Sequence, residues 1–255
     1  MTPVARLALS LAFLPSHCEL PAWLGPSPPS ESAPTPSGAS ARKVDAPAND
    51  YLRMEALPDT SPVMFVLRGE PRGLGKLVFI HGICGHALGY AQSFARSAAR
   101  HGTLIAPQGD RQCDGTPLAV WSLDTAALDA RIVAAFRALG FVEPVVDVTV
   151  IGYSQGASRA EALARKWPAR YTRVVFIAGP TKISPYGLRV HAAAMMAGTL
   201  DRQDLMQDSS KAFLTAGRRT RYFALHNARH GALGDHPEVT MGAALDWLYS
   251  IAPGG

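Results

Sequence analysis

The chain has 255 residues, 47% hydrophobic and 18% charged, a balance that suits one α/β domain with a large buried core. Its 25 Lys and Arg against 20 Asp and Glu leave a formal charge of +5, but these cations are scattered, with no basic arm or stripe that would take nucleic acid. No segment has the apolar length of a membrane span, and none of the three cysteines lies in a Cys-x-x-Cys or zinc-ligand spacing, which argues against a disulfide scaffold and a metal site.

Taken in order, residues 1–18 read as a signal peptide: Arg6 supplies the positive charge and Leu7–Leu14 the short apolar run. Pro15-Ser16-His17 before Cys18 lack the small residue of a lipobox, and the alternative is a terminus with no targeting role. Residues 19–50 form a tether rich in Pro, Ser and Ala, too poor in large apolar groups to pack. The expected localisation is therefore outside the cytoplasm, and the folded domain is expected to run over 51–255.

Within that domain Tyr51–Leu57 and Val63–Arg68 read as edge strands around the turn Pro58-Asp-Thr-Ser-Pro62. Leu77–His81 is a buried strand ending in His81-Gly82-Ile83-Cys84-Gly85. A helix is expected over Tyr90–Arg100, a strand over Thr103–Ala106, and a helix over Asp124–Leu139 with Gly140 as its stop. Val146, Val148, Val150 and Ile151 then give a near-continuous apolar strand that breaks into Gly152-Tyr-Ser-Gln-Gly156. Ala160, Leu163, Ala164 and Trp167 follow at helical spacing, ended by Pro168. Strands Arg173–Ala178 and Val190–Ala197, helix Asp204–Ala216, strand Thr220–His226 and helix Glu238–Ile251 complete the chain. This alternation predicts an α/β fold, its mostly parallel sheet covered by helices on both faces.

Strand, Gly-x-Ser-x-Gly, helix is the context of a nucleophile elbow, which makes Ser154 the candidate nucleophile. A serine hydroxyl needs a base to take its proton and a third group to orient that base. Past the strand Val190–Ala197 stands Asp201, and past Thr220–His226 stands His230. Asp204 and Asp208 are rivals for the acid but suit the first turn of the next helix. Of the other histidines, His226 reads as packed inside its strand and His236 as a loop residue before Pro237. Trp121 is a candidate wall of the acyl site, or simply core. No cofactor is called for.

With these residues in view, the stretch from about Tyr51 onward resembles the α/β-hydrolase superfamily, whose triad runs in the order Ser, Asp, His. The resemblance implies Ser154 as nucleophile, Asp201 as orienting acid and His230 as general base. The pair His81-Gly82 matches the family's oxyanion loop, implying the backbone N–H groups of Ile83 and Gln155 as oxyanion donors and a structural role for the His81 ring. Gly152-Tyr-Ser-Gln-Gly156, Ala106-Pro-Gln108 and the Gly-x-x-Asp at Gly198–Asp201 look most like the small lidless carboxylesterase and acyl-thioesterase branch. Dienelactone-hydrolase-like members are also similar, though they typically carry cysteine at the position of Ser154. Only Thr181 to Arg189 separates two central strands, so no large cap domain is expected. The implied substrate is a small-molecule ester or thioester; the rivals are a peptidase or lipase on the same scaffold and a non-catalytic binding protein. In the resembled fold the strands before Cys84 and Cys113 are neighbours. That leaves two states open: a disulfide bracing the Ile83 loop, or two free thiols.

Overall fold

A computed structural model describes residues 53–70 and 73–252; the expected signal and tether lie outside the described residues. The central sheet has eight strands in the order β1-β2-β4-β3-β7-β8-β9-β10. These are β1 (Glu55–Ala56), β2 (Met64–Leu67), β3 (Gly75–Ile80), β4 (Gly102–Pro107), β7 (Val148–Tyr153), β8 (Tyr171–Ile177), β9 (Ala192–Gly198) and β10 (Thr220–Leu225). The first two run antiparallel to their neighbours, and β4, β3, β7, β8, β9 and β10 are parallel. A separate two-stranded hairpin, β5 (Arg111–Gln112) and β6 (Ala119–Val120), stands beyond the end of β4.

Alternation along the buried strands explains the two layers. Val78 and Ile80 of β3 face one core with Val148 and Val150 of β7, while Leu77 and Phe79 face the other with Ile151 and Tyr153. The first core is covered by α3 (Thr125–Ala138), α4 (Gln155–Lys166) and α5 (Asp204–Thr215), through Ile132, Phe136, Leu163, Met206 and Phe213. The second is covered by α1 (Ala87–Gln92), α2 (Ala95–His101) and α6 (Pro237–Ser250), through Phe94, Ala98, Leu245 and Leu248. Truncating a fully buried ring such as Phe79 or Phe136 to Ala would cost about 3–5 kcal/mol, since both faces are close-packed. Asp124 caps α3 by accepting from the Ala126 and Ala127 N–H groups.

The single helix expected over Tyr90–Arg100 is two short ones. Phe94 leaves helical geometry at φ −133°, which turns its ring edge-on to Phe79 at 5.5 Å, and the Ser93 hydroxyl donates to the Tyr90 carbonyl. Within the described residues the first edge strand shrinks to two residues, because Leu57 and Thr60 already close the turn through bonds to Met64 and Leu57. The connection 178–191 holds no cap domain; its Ile183 and Leu188 are buried on the first core. No helix among the described residues is long and apolar enough to cross a membrane.

Sheet order sets the place for chemistry. From β3 the chain moves outward on one side to β4, and then returns to the other side at β7. The crevice beyond the carboxyl ends of β3 and β7 is the switch point at which open α/β sheets bind their ligands.

Candidate active site

Ser154 follows β7 directly and stands at φ 51°, ψ −115°, a strained backbone for a residue with a side chain. Close packing enforces this: a Cβ on Gly152 would lie 2.4 Å from the Gly156 carbonyl oxygen, and one on Gly156 would lie 2.0 Å from that of Ile80. The sharp turn lifts the Ser154 hydroxyl off the sheet, at the start of α4, where the helix dipole and unpaired N–H groups favour negative charge.

The structure brings the three separated candidates together. Ser154 Oγ lies 3.0 Å from His230 Nε2, and His230 Nδ1 lies 2.8 Å from Asp201 Oδ2. Because the carboxylate accepts the Nδ1 proton, Nε2 is left to accept the serine proton. Asp201 is largely buried, its side chain 12% exposed against 52% for His230, and its other oxygen accepts the Arg202 N–H at 2.7 Å. The loops that carry Asp201 and His230 are laced to each other: Leu200 N–H donates to the Ala228 carbonyl and Asn227 N–H to the Thr199 hydroxyl.

The rivals fall away from this line. Asp204 pairs with Arg202, and Asp208 with Lys182 and Lys211. β10 ends at Leu225, so His226 is an exposed loop residue and not a packed strand residue as expected; its carbonyl accepts the Asp235 N–H. His236 precedes α6 and is also exposed.

On the other side of Ser154, Ile83 is 62% exposed. Among the described residues no acceptor takes the backbone N–H of Ile83 or of Gln155, the first residue of α4. Two free N–H groups beside a nucleophile can take a developing oxyanion. Below them His81 is fully buried, its Nδ1 donating to the Gly82 carbonyl at 2.7 Å and its Nε2 accepting the Gly109 N–H at 2.9 Å. Burial lowers its pKa to about 4, so the ring is neutral.

Trp121, expected to wall the acyl site, is only 5% exposed. Its indole N–H donates to the His81 carbonyl at 2.8 Å and its backbone N–H to the Gln155 side chain at 3.1 Å. It thus braces both arms of the site from below. Cys84 and Cys113 form a disulfide with Cα atoms 5.4 Å apart, tying the Ile83 loop to the β5–β6 hairpin. Gly85 and Ala119 exchange backbone hydrogen bonds beside it, and the Gln108 amide accepts from the Ala87 N–H while donating to the Gly85 carbonyl.

Two tyrosines grip the residue that follows His230. Tyr90 Oη donates to the Gly231 carbonyl at 2.9 Å, and Gly231 N–H donates to Tyr153 Oη at 2.5 Å. Neither contact is readable from spacing, since Tyr90 and Gly231 are 141 positions apart. Only the place of Tyr153 inside the elbow hinted at it.

No protein-family model and no curated protein matches this sequence. Solved structures do. A carboxylesterase of Bacillus cereus is 17% identical with a TM-score of 0.55, the match covering 74% of this chain and 94% of that one. The substrate-bound fluorophosphonate-binding serine hydrolase F of Staphylococcus aureus is 11% identical with a TM-score of 0.54, over 73% and 91%. The S-formylglutathione hydrolase of the same species is 13% identical with a TM-score of 0.54, over 77% and 98%. At these identities the likeness is one of fold, and it runs over nearly the whole length of each matched structure.

Proposed function

We propose that this chain, which has the α/β-hydrolase fold, is a serine hydrolase that cleaves carboxylic esters or thioesters of small molecules through an acyl-enzyme on Ser154. The observation that carries the reading is the continuous line from Ser154 Oγ to His230 Nε2 at 3.0 Å and from His230 Nδ1 to Asp201 at 2.8 Å. Ser154 attacks the carbonyl carbon as His230 takes its proton, and Asp201 stabilises the imidazolium that results. The Ile83 and Gln155 N–H groups receive the negative charge on the carbonyl oxygen. His230 then gives its proton to the departing alcohol or thiol. A water molecule, deprotonated in turn by His230, attacks the acyl-enzyme and releases the acid.

An open approach supports modest ester or thioester substrates: half-exposed His230 and exposed Ile83 stand at its rim, and no inserted domain among the described residues covers it. Export is part of the proposal, supported by the Cys84–Cys113 bridge, which suits an oxidising compartment.

The test is covalent labelling with a fluorophosphonate, followed by a panel of p-nitrophenyl esters of increasing acyl length beside acyl-CoA and peptide substrates. Labelling at Ser154, its loss in Ser154→Ala, and turnover of esters or thioesters are the expected outcome. Tagging of another serine would remove the nucleophile assignment, turnover confined to peptides would make the chain a peptidase, and no labelling at all would favour a binding protein.

A further inference from the structure

His230 is half exposed, so little side-chain packing holds its ring, although its Nε2 must stay within hydrogen-bond reach of Ser154. The loop around it is tied internally by the Ala232 N–H on the Arg229 carbonyl, the Asp235 N–H on the His226 carbonyl and the Asn227 amide on the Asp235 carboxylate. None of these bonds is made by His230 or Gly231, whose own bonds run outside the loop. The peptide unit next to His230 is gripped at both of its polar ends, Gly231 N–H by Tyr153 Oη and Gly231 carbonyl by Tyr90 Oη. Gly231 is at φ 94°, where a side chain would be strained, so the loop presents both groups in a turn that glycine alone takes easily. The two phenol rings stack at 5.1 Å and 26°, and Tyr153 lies 5.7 Å from the His230 ring.

Resting on the reading of His230 as the base, we infer that Tyr153 and Tyr90 are positioning residues for this reaction, fixing the imidazole against Ser154 by clamping the backbone of Gly231. The arrangement is a two-rung ladder. Residues 153 and 154 are chain neighbours, as are 230 and 231; one rung is Ser154 Oγ to His230 Nε2 and the other is Gly231 N to Tyr153 Oη. Both rungs therefore start from the same strand end, that of β7, and the base is referenced to its nucleophile through one side chain. Tyr90 closes the clamp from α1 and, by stacking, holds the Tyr153 ring in line. The Tyr153 and His230 rings meet at a tilt of 38°. Burial pushes the Tyr153 phenol up to about 12, so the clamp does not titrate at working pH.

Removal of one oxygen tests this. Tyr153→Phe keeps the ring and loses the rung, and it should lower kcat about 10- to 30-fold with KM within about twofold, as expected for a misplaced catalytic group. Tyr90→Phe, whose bond is exposed, should lower kcat about threefold. A purely structural role is separated by a cycle: rates of fluorophosphonate labelling are measured for wild type, Tyr153→Phe, His230→Ala and the double variant, with thermal stability beside them. If Tyr153 acts through His230, its loss slows labelling only while His230 is present. An equal slowing in the His230→Ala background, or an unchanged kcat in Tyr153→Phe, overturns the inference. Fast labelling of His230→Ala alone would instead remove His230 as the base, a separate failure of the reading on which the clamp rests.

Discussion

The loops that follow β3 and β10 reach Ser154 from opposite sides of β7 and are held by different means. On the proposed oxyanion side the Ile83 loop is stapled by a disulfide, laced by the Gly85–Ala119 pair and the Gln108 amide, and set on a buried His81 whose two ring nitrogens both have backbone partners. On the side of the proposed base, His230 is exposed and hangs on a loop with hydrogen bonds to Asp201 and, through Gly231, to two tyrosines. The difference matches the chemistry each side would do. An oxyanion is stabilised by dipoles that do not reorganise during reaction, whereas a base that serves serine, leaving group and water in turn needs a ring with local freedom in a fixed place.

The largest effect should come from removing the exposed ring altogether. His230→Ala is expected to lower kcat by about 10⁴-fold or more, leaving the fold intact, because nothing else on the base side can take the serine proton. His226→Ala and His236→Ala should change turnover less than about twofold, since neither is placed on the line from Ser154 to Asp201. Steady-state kinetics on a p-nitrophenyl ester decide it; turnover near wild type in His230→Ala would assign the base elsewhere.

Breaking the staple should have the next largest effect. The Cys84–Cys113 bridge closes a loop with a sequence separation of 29, worth between about 3 and 4 kcal/mol by the chain-entropy account. For a domain of this size a loss of that order lowers the melting temperature by on the order of 10 °C. Replacing both cysteines by alanine, or treating the protein with a dithiol, should produce that drop together with about tenfold lower kcat as the Ile83 N–H loses its fixed place. The fluorophosphonate label should still go to Ser154, because the elbow is held by its own glycines. Calorimetry with and without reductant checks the first part. An unchanged melting temperature would mean that the hydrogen bonds at Gly85 and Gln108 suffice to hold this side.

How much of this was legible in the sequence follows from where each piece of information sits. The elbow, the strand alternation and the two polar residues past later strands, Asp201 and His230, that the fold brings to Ser154 were readable because each signal is local: a run of β-branched residues, a glycine pair, a polar residue just past an apolar run. Three features escaped because they are set through space. Ala91, Phe94, Ala95 and Ala98 keep a helical period across the break between α1 and α2, so only the packing of Phe94 on Phe79 reveals it. The β5–β6 hairpin has two residues a side and exists through its ties to the Cys84 loop. The grip on Gly231 joins positions 90, 153 and 231, and no pattern in one sequence connects them. Trp121 was legible as an aromatic near the site, but not that both of its N–H groups would be turned inward.

The smallest effect concerns the foundation of the stapled side and is confined to acid. His81 Nδ1 donates to the Gly82 carbonyl while Nε2 accepts from Gly109 N–H, an arrangement that only the neutral ring satisfies; protonation at Nε2 would set two donors against each other. In the unfolded chain the same ring takes its proton near pH 6.5, and in the folded domain burial holds the pKa at about 4. Between those values the unfolded state binds more protons, so stability is full above pH 6.5 and declines as pH falls toward about 4, by at most about 3 kcal/mol from this group. The proton resonance of the His81 ring should therefore stay at its neutral position from pH 8 down to about pH 5. Urea midpoints should fall over the acid part of that range, less steeply in His81→Gln. A His81 resonance that titrates near pH 6.5 in the folded protein would show that the ring is not locked between Gly82 and Gly109, and that the oxyanion side rests on the disulfide and the Gln108 amide alone.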